Sequence, residues 1–150
     1  MRYLLILLIL PCFFTANVVA HHGFGGEYNR SQPIYLSGVV KSVYFGYPHA
    51  TLTLNTVAAK QSVDLPENAQ EFKQGLTFWK ETSQTIKVEF PPVGKFFALE
   101  NRVNIGDNIA IIALKNCEPP HQLRGQWILL SSNESIVRSG VMQNEVDHCH

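Results

Sequence analysis

Short segments rich in β-branched and aromatic residues, separated by glycine and proline, restrict most strongly the folds open to this chain. The pattern predicts strands over residues 34–45, 49–55, 61–65, 85–90, 108–114 and 126–131, with a further short one over 135–141. In the second segment threonine alternates with leucine, which places Leu52 and Leu54 on one face of a sheet. Gly38 lies inside the first segment and predicts a bulge or a sharp bend. Together the segments indicate a mainly β protein.

One stretch between the strands has a different periodicity. From Glu67 to Thr82 the apolar residues recur at steps of three and four, as on one face of a helix: Ala69, Phe72, Leu76 and Trp79. Three strands, a helix and further strands are the order of a small Greek-key barrel of the OB-like type, in which one helix lies between the third and fourth strands. A β-sandwich with an added helix is the alternative, because periodicity does not distinguish a closed sheet from two stacked sheets.

The first 20 residues have the pattern of a secretory signal peptide. Arg2 supplies the positive head, residues 4–10 form an apolar core too short to span a bilayer, and Ala20 is a suitable small residue at the cleavage point. Pro11 precedes Cys12 at the place where a lipoprotein signal has a small residue, so we expect no membrane anchor after cleavage. The predicted location is therefore periplasmic or secreted.

Cleavage after Ala20 leaves 130 of the 150 residues, which is enough for one domain with one core. We predict a flexible segment rich in histidine and glycine over 21–33, a β-barrel domain over 34–142 and a C-terminal tail over 143–150. Removing Arg2 from the 12 basic residues leaves 11 against 12 acidic ones, a net charge of about −1. Because the chain also has no dense run of lysine and arginine, we expect no nucleic-acid partner.

Processing at this point would make His21 the first residue, and a terminal histidine offers two nitrogen donors, its amine and its imidazole. Copper(II) prefers nitrogen ligands, so His21, His22 and His49 form a candidate copper site. Glu27 and Tyr28 are candidates for hydrogen-bonding partners around it. The alternative is that the two terminal histidines merely follow a cleavage site, while His49 caps a turn.

The two cysteines that follow the leader admit two interpretations. In an oxidising compartment Cys117 and Cys149 form one disulfide, which ties the C-terminal tail to the sheet. Alternatively, reduced thiols join His121, His148 and His150 in a soft-metal site, although the spacing matches no common zinc template. The two interpretations exclude each other, because a bridged sulfur is no longer a thiolate ligand.

Sequence signatures of catalysis are missing. The chain has no nucleophile elbow, no His-Glu-x-x-His pair, no phosphate-binding glycine loop and no dinucleotide fingerprint, so we do not predict an enzyme. The two tryptophans, Trp79 and Trp127, are predicted to lie in the core. Three tyrosines are candidates to line a groove for a sugar or a peptide, namely Tyr35, Tyr44 and Tyr47.

Several motifs in the first third of the chain occur together: His21-His22-Gly23-Phe24, Glu27-Tyr28-Asn29, Pro33, Leu36, Gly38, Val40 and Tyr47-Pro48-His49-Ala50. They resemble a family of small exported bacterial proteins, the domain of unknown function 6152 family. That family has His-His-Ser-Phe, Glu-Tyr-Asp and Asn-Pro-His-Ala at these places, so this chain departs from it at Gly23, Asn29 and Tyr47. The resemblance implies export, a compact β domain and a motif set that joins the terminal histidines to His49. It implies no reaction, because the family has no assigned activity.

Two functions stay open at this point. The first is an exported small binding module that takes a transition metal, copper, through its N-terminal histidine. The second is a non-metal, OB-like domain that binds a peptide, a glycan or a partner in the cell envelope. A structure that places His49 far from the mature N-terminus favours the second function.

Overall fold

The β-branched and aromatic segments form strands, and the protein is mainly β as predicted. The computed structural model describes residues 25–59, 62–140 and 142–150. Within these ranges the strands are β1 (Tyr28–Tyr44), β2 (Ala50–Val57), β3 (Thr77–Phe78), β4 (Thr85–Phe90), β5 (Asn108–Asn116), β6 (Leu123–Leu129), β7 (Ser135–Val137) and β8 (Glu145–Val146). A short helix, α1 (Gly94–Phe97), continues as a 3-10 helix over Ala98–Asn101, and a separate 3-10 helix covers Glu67–Phe72. No helix of the described residues is long and apolar enough to cross a bilayer.

Five of the strands pair in a ring, in the order β1, β2, β4, β6, β5 and back to β1. The sheet is mixed, because β4 and β6 run parallel while the other pairings of the ring are antiparallel. β3 and β8 each pair with β1 in parallel, and β7 pairs with β6 in the antiparallel sense. The long strand β1 therefore joins the two sides of the ring.

Gly38 lies where β1 passes from one partner to the other. It pairs with Thr56 of β2 and also with Ile109 of β5. A Cβ atom at this position would overlap the carbonyl oxygen of Asn55, so the close approach of the two backbones requires glycine. The predicted irregularity is found close by, as a register shift a few residues further along β1.

Apolar side chains fill the inside of the ring and form the inner core. Leu54 of β2 and Ile111 of β5 are fully buried there. Phe96 of α1 and Leu99 of the following 3-10 helix are also fully buried in this core. The helix thus closes one end of the ring with apolar side chains.

A second, outer core covers the other face of the sheet. Ile112 of β5 and Trp127 of β6 are buried there, under side chains from the connection between β2 and β4 such as Phe72 and Leu76. The indole Nε1 of Trp127 donates a hydrogen bond to Oδ1 of Asn68 in this connection, over 3.2 Å. Both faces of β5 and β6 are therefore buried, which agrees with the nearly continuous apolar sequence of β5.

The two ends of the ring differ. α1 follows the last residue of β4 and precedes the first residue of β5, so it marks what we call the helix end. At the opposite end β4 begins at Thr85, β5 finishes at Asn116 and β6 begins at Leu123. We call this the open end.

The helix predicted over 67–82 is wrong. Only Glu67–Phe72 is helical, as a 3-10 helix, and Thr77–Phe78 is strand β3. Gly75 between them has a φ of 74°, and a Cβ atom there would overlap the carbonyl oxygen of Ser31. The spacing of three and four instead reflects side chains that cover the outer face of the sheet. The α-helix occurs later, at Gly94–Phe97, where the sequence predicts none.

Several boundaries also differ from the prediction. β1 begins at Tyr28 rather than at Ile34, so the second half of the segment predicted as flexible is largely strand. The described residues of 61–65 form no strand, and β6 begins three residues earlier than predicted, at Leu123. The tail 143–150 contains β8, which pairs with the start of β1.

Candidate functional site

Two adjoining cavities at the open end form a groove. The residues that line the first cavity, of about 460 Å³, include Gln32, Asn116, Cys117 and Cys149. Those that line the second, of about 410 Å³, include Trp79, Ile86, Lys87 and Leu123. Three residues line both cavities, namely Ile34, Lys115 and His121, so we describe the two as one groove.

The floor of the groove is apolar. Ile34, Trp79 and Ile86 are partly buried and pack against the inner core, and Leu123 retains only 6% of its exposure. The backbone N–H of Trp79 donates a hydrogen bond to the carbonyl of Tyr35 over 2.9 Å. This bond fixes the backbone at Trp79 beside β1. The open end of the inner core is therefore the surface that a bound molecule would cover.

The charged residues of the groove are all basic. Lys87 and Lys115 line it, and none of its described lining residues is Asp or Glu. Lys87 pairs with Glu89, with Nζ 3.2 Å from Oε1, whereas Lys115 is exposed and forms no ion pair with the described residues. Lys41 adds a third ammonium group near the rim, because its Nζ lies 3.3 Å from Oγ1 of Thr85.

The wall formed by the β5–β6 connection is held by Asn116. Nδ1 of His121 lies 3.0 Å from the carbonyl oxygen of Asn116. A carbonyl oxygen only accepts, so this contact places a hydrogen on Nδ1 and leaves Nε2 of the neutral ring as an acceptor. The side chain of Asn116 also donates to the carbonyl of Gly25 over 2.8 Å and accepts from the N–H of Glu118 over 2.9 Å. The beginning of the described chain is thus fixed beside the groove.

A buried cluster of charges holds the C-terminal tail, and sequence analysis missed it. Glu145 Oε1 accepts hydrogen bonds from Nη2 of Arg124 over 2.7 Å and from Nη2 of Arg138 over 2.6 Å. The three side chains are 0–7% exposed. We call them the Arg–Glu cluster. The sequence does contain one indication of this cluster. Arg124 and Arg138 lie in apolar, strand-forming segments, and a buried arginine requires an anion nearby.

Tyr28 belongs to the same buried region. Its ring lies under the guanidinium of Arg124, with 4.0 Å from Cζ to the ring centroid, and its hydroxyl donates to Oε1 of Gln122 over 3.1 Å. Burial raises the pKa of Tyr28 above 10.0, although a hydrogen bond with Asn116 and the charge of Arg124 act against the shift. Tyr28 therefore has a packing role in the described structure.

The remaining predicted metal-site residues are not brought together by the described chain. His21 and His22 lie outside the described residues. His49 directly precedes β2 at the helix end, whereas Gly25 lies at the open end. Glu27 accepts a hydrogen bond through its backbone carbonyl from the N–H of Cys117, over 2.8 Å. Across the described residues, no three side chains of His, Cys, Asp or Glu are grouped so that they could hold a metal ion.

The predicted disulfide agrees with the structure. The sulfur atoms of Cys117 and Cys149 are 2.08 Å apart. The alternative soft-metal site, with His121, His148 and His150, thereby loses its two thiolate ligands.

The aromatic residues are distributed differently from the prediction. Tyr35 is 9% exposed and belongs to the outer core, while Tyr44 and Tyr47 are exposed near the helix end, away from the groove. Trp127 lies in the core as predicted. Trp79 packs on the core and also lines the groove. A single sequence does not show which predicted core residues lie at the edge of that core.

Comparisons with known proteins add no assignment. No protein-family model matches the chain, and no curated protein matches its sequence. The resemblance to the domain of unknown function 6152 family accordingly stays a prediction.

Proposed function

We propose that this chain is a small exported binding module that holds an organic ligand in the groove at the open end of the ring. The observation that carries the proposal is the groove itself, in which an apolar floor adjoins polar and basic walls. Cavities of about 410 and 460 Å³ have the size of sites for small molecules. The leader over 1–20 and the Cys117–Cys149 pair support an oxidising location, periplasmic or secreted.

We further propose that the ring is an OB-like Greek-key barrel. The strand order supports this, because the third and fifth ring strands in the chain, β4 and β6, pair in parallel and β1 pairs with both β2 and β5. The position of α1 supports it as well, because this helix lies between the third and fourth ring strands in chain order. OB-like domains bind ligands through strand faces and the loops between them, and here the β5–β6 connection lines the groove.

The proposal is tested by NMR with small probes of different chemistry. Benzoate, benzyl alcohol, benzylamine and N-acetylglucosamine are titrated into the labelled protein, starting at His21. We expect at least one probe to shift the resonances of Ile34, Trp79 and Leu123 at the floor. The variant Ile34→Trp, which fills the groove, should abolish these shifts, whereas Ile105→Trp, at an exposed position far from the groove, should preserve them. Shifts that occur only at other residues, or with none of the probes, would contradict the proposal.

A second candidate function is transition-metal binding, and one observation favours it. Gly25, three residues after His22, is fixed at Asn116, and Nδ1 of His121 contacts the carbonyl of the same Asn116, which leaves Nε2 as the nitrogen that could ligate a metal. His121 is therefore a better placed companion for His21 and His22 than His49, which lies at the helix end. Copper(II) is the ion whose preference for nitrogen ligands fits this set.

The metal proposal is tested by calorimetric titration with Cu²⁺. The chain that begins at His21 is compared with the same chain carrying one added alanine before His21. We expect the added residue to remove most of the affinity, and His121→Ala to weaken binding while the control His49→Ala does not. Equal affinity with and without the added alanine would overturn the proposal. A loss with His49→Ala alone would restore the ligand set predicted from sequence.

Export is tested separately by the intact mass of the secreted protein. A mass that corresponds to a chain starting at His21 with one disulfide is expected. A retained leader would contradict both the export proposal and the terminal metal ligand.

A further inference from the structure

We infer that the groove selects an organic anion with an apolar body, and that Lys115 supplies the countercharge. This inference rests on the proposed function and names the class of ligand. It follows from three features of the groove: the sign of its charges, a lining ammonium group that forms no ion pair with the described residues, and the apolar floor beside that group.

The positive charge of the groove lining is not a property of the chain as a whole. The whole chain carries 12 basic and 12 acidic residues, yet the lining of the groove contains lysines and no carboxylate among its described residues. Lys41 contacts Thr85 at the rim and adds to the same field. A concave surface lined by one sign of charge concentrates ligands of the opposite sign.

Of the lysines at the groove, Lys115 is the one that we expect to contact the charged group of a ligand. It lies next to the last residue of β5 and lines both cavities, so its side chain borders the groove whichever cavity is occupied. Glu89 already neutralises Lys87, whereas no carboxylate of the described residues pairs with Lys115. A ligand carboxylate, sulfonate or phosphate would complete this pair with a charge-assisted hydrogen bond.

The floor determines the rest of the ligand. Ile34 and Trp79 lie partly exposed beside Lys115, and Leu123 pairs directly with Lys115 across the β5–β6 ladder. A fully hydrated ion such as inorganic phosphate would leave this surface uncovered. An aromatic or aliphatic acid would bury it and place its charged group at Lys115.

The test compares three naphthalene probes of similar size: 1-naphthoate, its isosteric amide 1-naphthamide, and the cationic 1-naphthylmethylamine. Binding is followed by NMR through the indole N–H of Trp79, which is one of only two tryptophans. We expect 1-naphthoate to bind at least about fivefold more tightly than the amide, and the amine to bind most weakly. Raising the salt concentration should weaken the naphthoate alone.

Variants of Lys115 complete the test. Lys115→Met keeps the apolar stem and should reduce naphthoate affinity at least about fivefold without changing naphthamide affinity, while Lys115→Arg should retain the preference. Lys73→Met, at an exposed position outside the groove lining, is the matched control and should change nothing. Lys115 is itself exposed, and Lys115→Gln provides a second neutral variant if the methionine variant aggregates.

The outcomes separate the two proposals. Equal affinity for the naphthoate and the amide, or no effect of Lys115→Met and Lys115→Gln, would overturn anion selection and leave the groove as a binding site. Binding of polyglutamate without any binding of naphthoate would overturn it in favour of an acidic chain. If no probe binds the unsubstituted protein, or if Ile34→Trp does not reduce the binding of a probe that does bind, the groove function itself is contradicted.

Discussion

At the scale of single residues, Glu145 supplies the negative charge that two buried arginines need. Without it, burial of their positive charges would be unfavourable. Its carboxylate accepts from both Arg124 and Arg138, and all three side chains are nearly inaccessible to solvent. Removing one member of a buried ion cluster leaves uncompensated charge, which costs about 3 kcal/mol or more. We therefore predict that Glu145→Gln lowers the free energy of unfolding by about 3 kcal/mol, measured by urea denaturation.

The matched control for this prediction is Glu134→Gln. Glu134 pairs with Arg102, but their side chains are 55% and 30% exposed, so solvent screens the interaction. We expect this variant to change the free energy of unfolding by no more than about 0.5 kcal/mol. Similar losses in the two variants would show that burial does not govern the Arg–Glu cluster.

His49 gives a prediction on pH dependence. Burial lowers the pKa of His49 below its ordinary 6.5, and the carboxylate of Glu89 opposes the shift only in part. The folded state thus disfavours the charged ring. As the pH falls below about 6.5, the unfolded chain binds this proton first, so the stabilisation present at neutral pH is lost progressively on acidification.

We expect His49→Gln to reduce the difference in unfolding free energy between pH 7.5 and pH 5 relative to the unsubstituted protein. An NMR titration of the His49 ring should give a pKa below 6.5 in the folded state. A titration midpoint at or above 6.5 would refute the interpretation, whatever the effect of the substitution on stability.

At the scale of elements, the C-terminal strand depends on a covalent tie. β8 is only two residues long, and the disulfide between Cys117 and Cys149 closes a loop with a sequence separation of 32. The loop-entropy estimate for such a crosslink is about 3–4 kcal/mol. We predict that the double variant Cys117→Ser/Cys149→Ser loses about this amount of stability, and that the amide of Tyr28, bonded to the carbonyl of Asn144, exchanges faster with solvent.

The unsubstituted protein treated with a thiol reductant is the control for the double variant. Both should unfold at the same denaturant concentration, because both lack the crosslink but keep the Arg–Glu cluster. An unchanged midpoint in both samples would mean that the other contacts of the tail suffice to hold it.

The elements also show which parts of the fold could be predicted from sequence. β4 has the predicted bounds, because alternation over 85–90 is a local property of that segment. The helix predicted over 67–82 fails, because its apolar side chains contact the outer face of a sheet assembled from distant strands. Helical spacing and contact with such a face give the same sequence pattern.

The groove was harder to predict from the sequence than the strands were. Lys115, Trp79 and Ile34 belong to three separate segments, and the long-range pairings of β1 with β3 and with β5 bring them to one end of the sheet. The disulfide was predictable, because the two cysteines that follow the predicted leader leave a single intramolecular pairing in an oxidising compartment. The inferred function thus depends on long-range pairings that residue patterns do not record.

At the scale of the whole molecule, the inner and outer cores share the same strands. Ile111 and Ile112 are neighbours on β5, both with 0% exposure, and their side chains belong to the inner and the outer core respectively. If the packing on one face of such a strand is disrupted, the packing on its other face is disturbed as well, because both faces belong to the same backbone. The two cores should therefore unfold together, as in the two-state behaviour usual for single domains of this size.

The two tryptophans allow this cooperativity to be measured, because Trp79 packs against the inner core and Trp127 lies in the outer core. In the single-tryptophan variants Trp127→Phe and Trp79→Phe, fluorescence and circular dichroism should give coincident urea transitions. Ile111→Ala and Ile112→Ala should each lower the free energy of unfolding by about 2–5 kcal/mol and shift both tryptophan signals equally. If Ile112→Ala moves the Trp127 transition and leaves that of Trp79 in place, the chain between β2 and β4 opens as an independent layer. The ligand groove would then depend on the inner core alone, since its floor is built from residues that pack on that core.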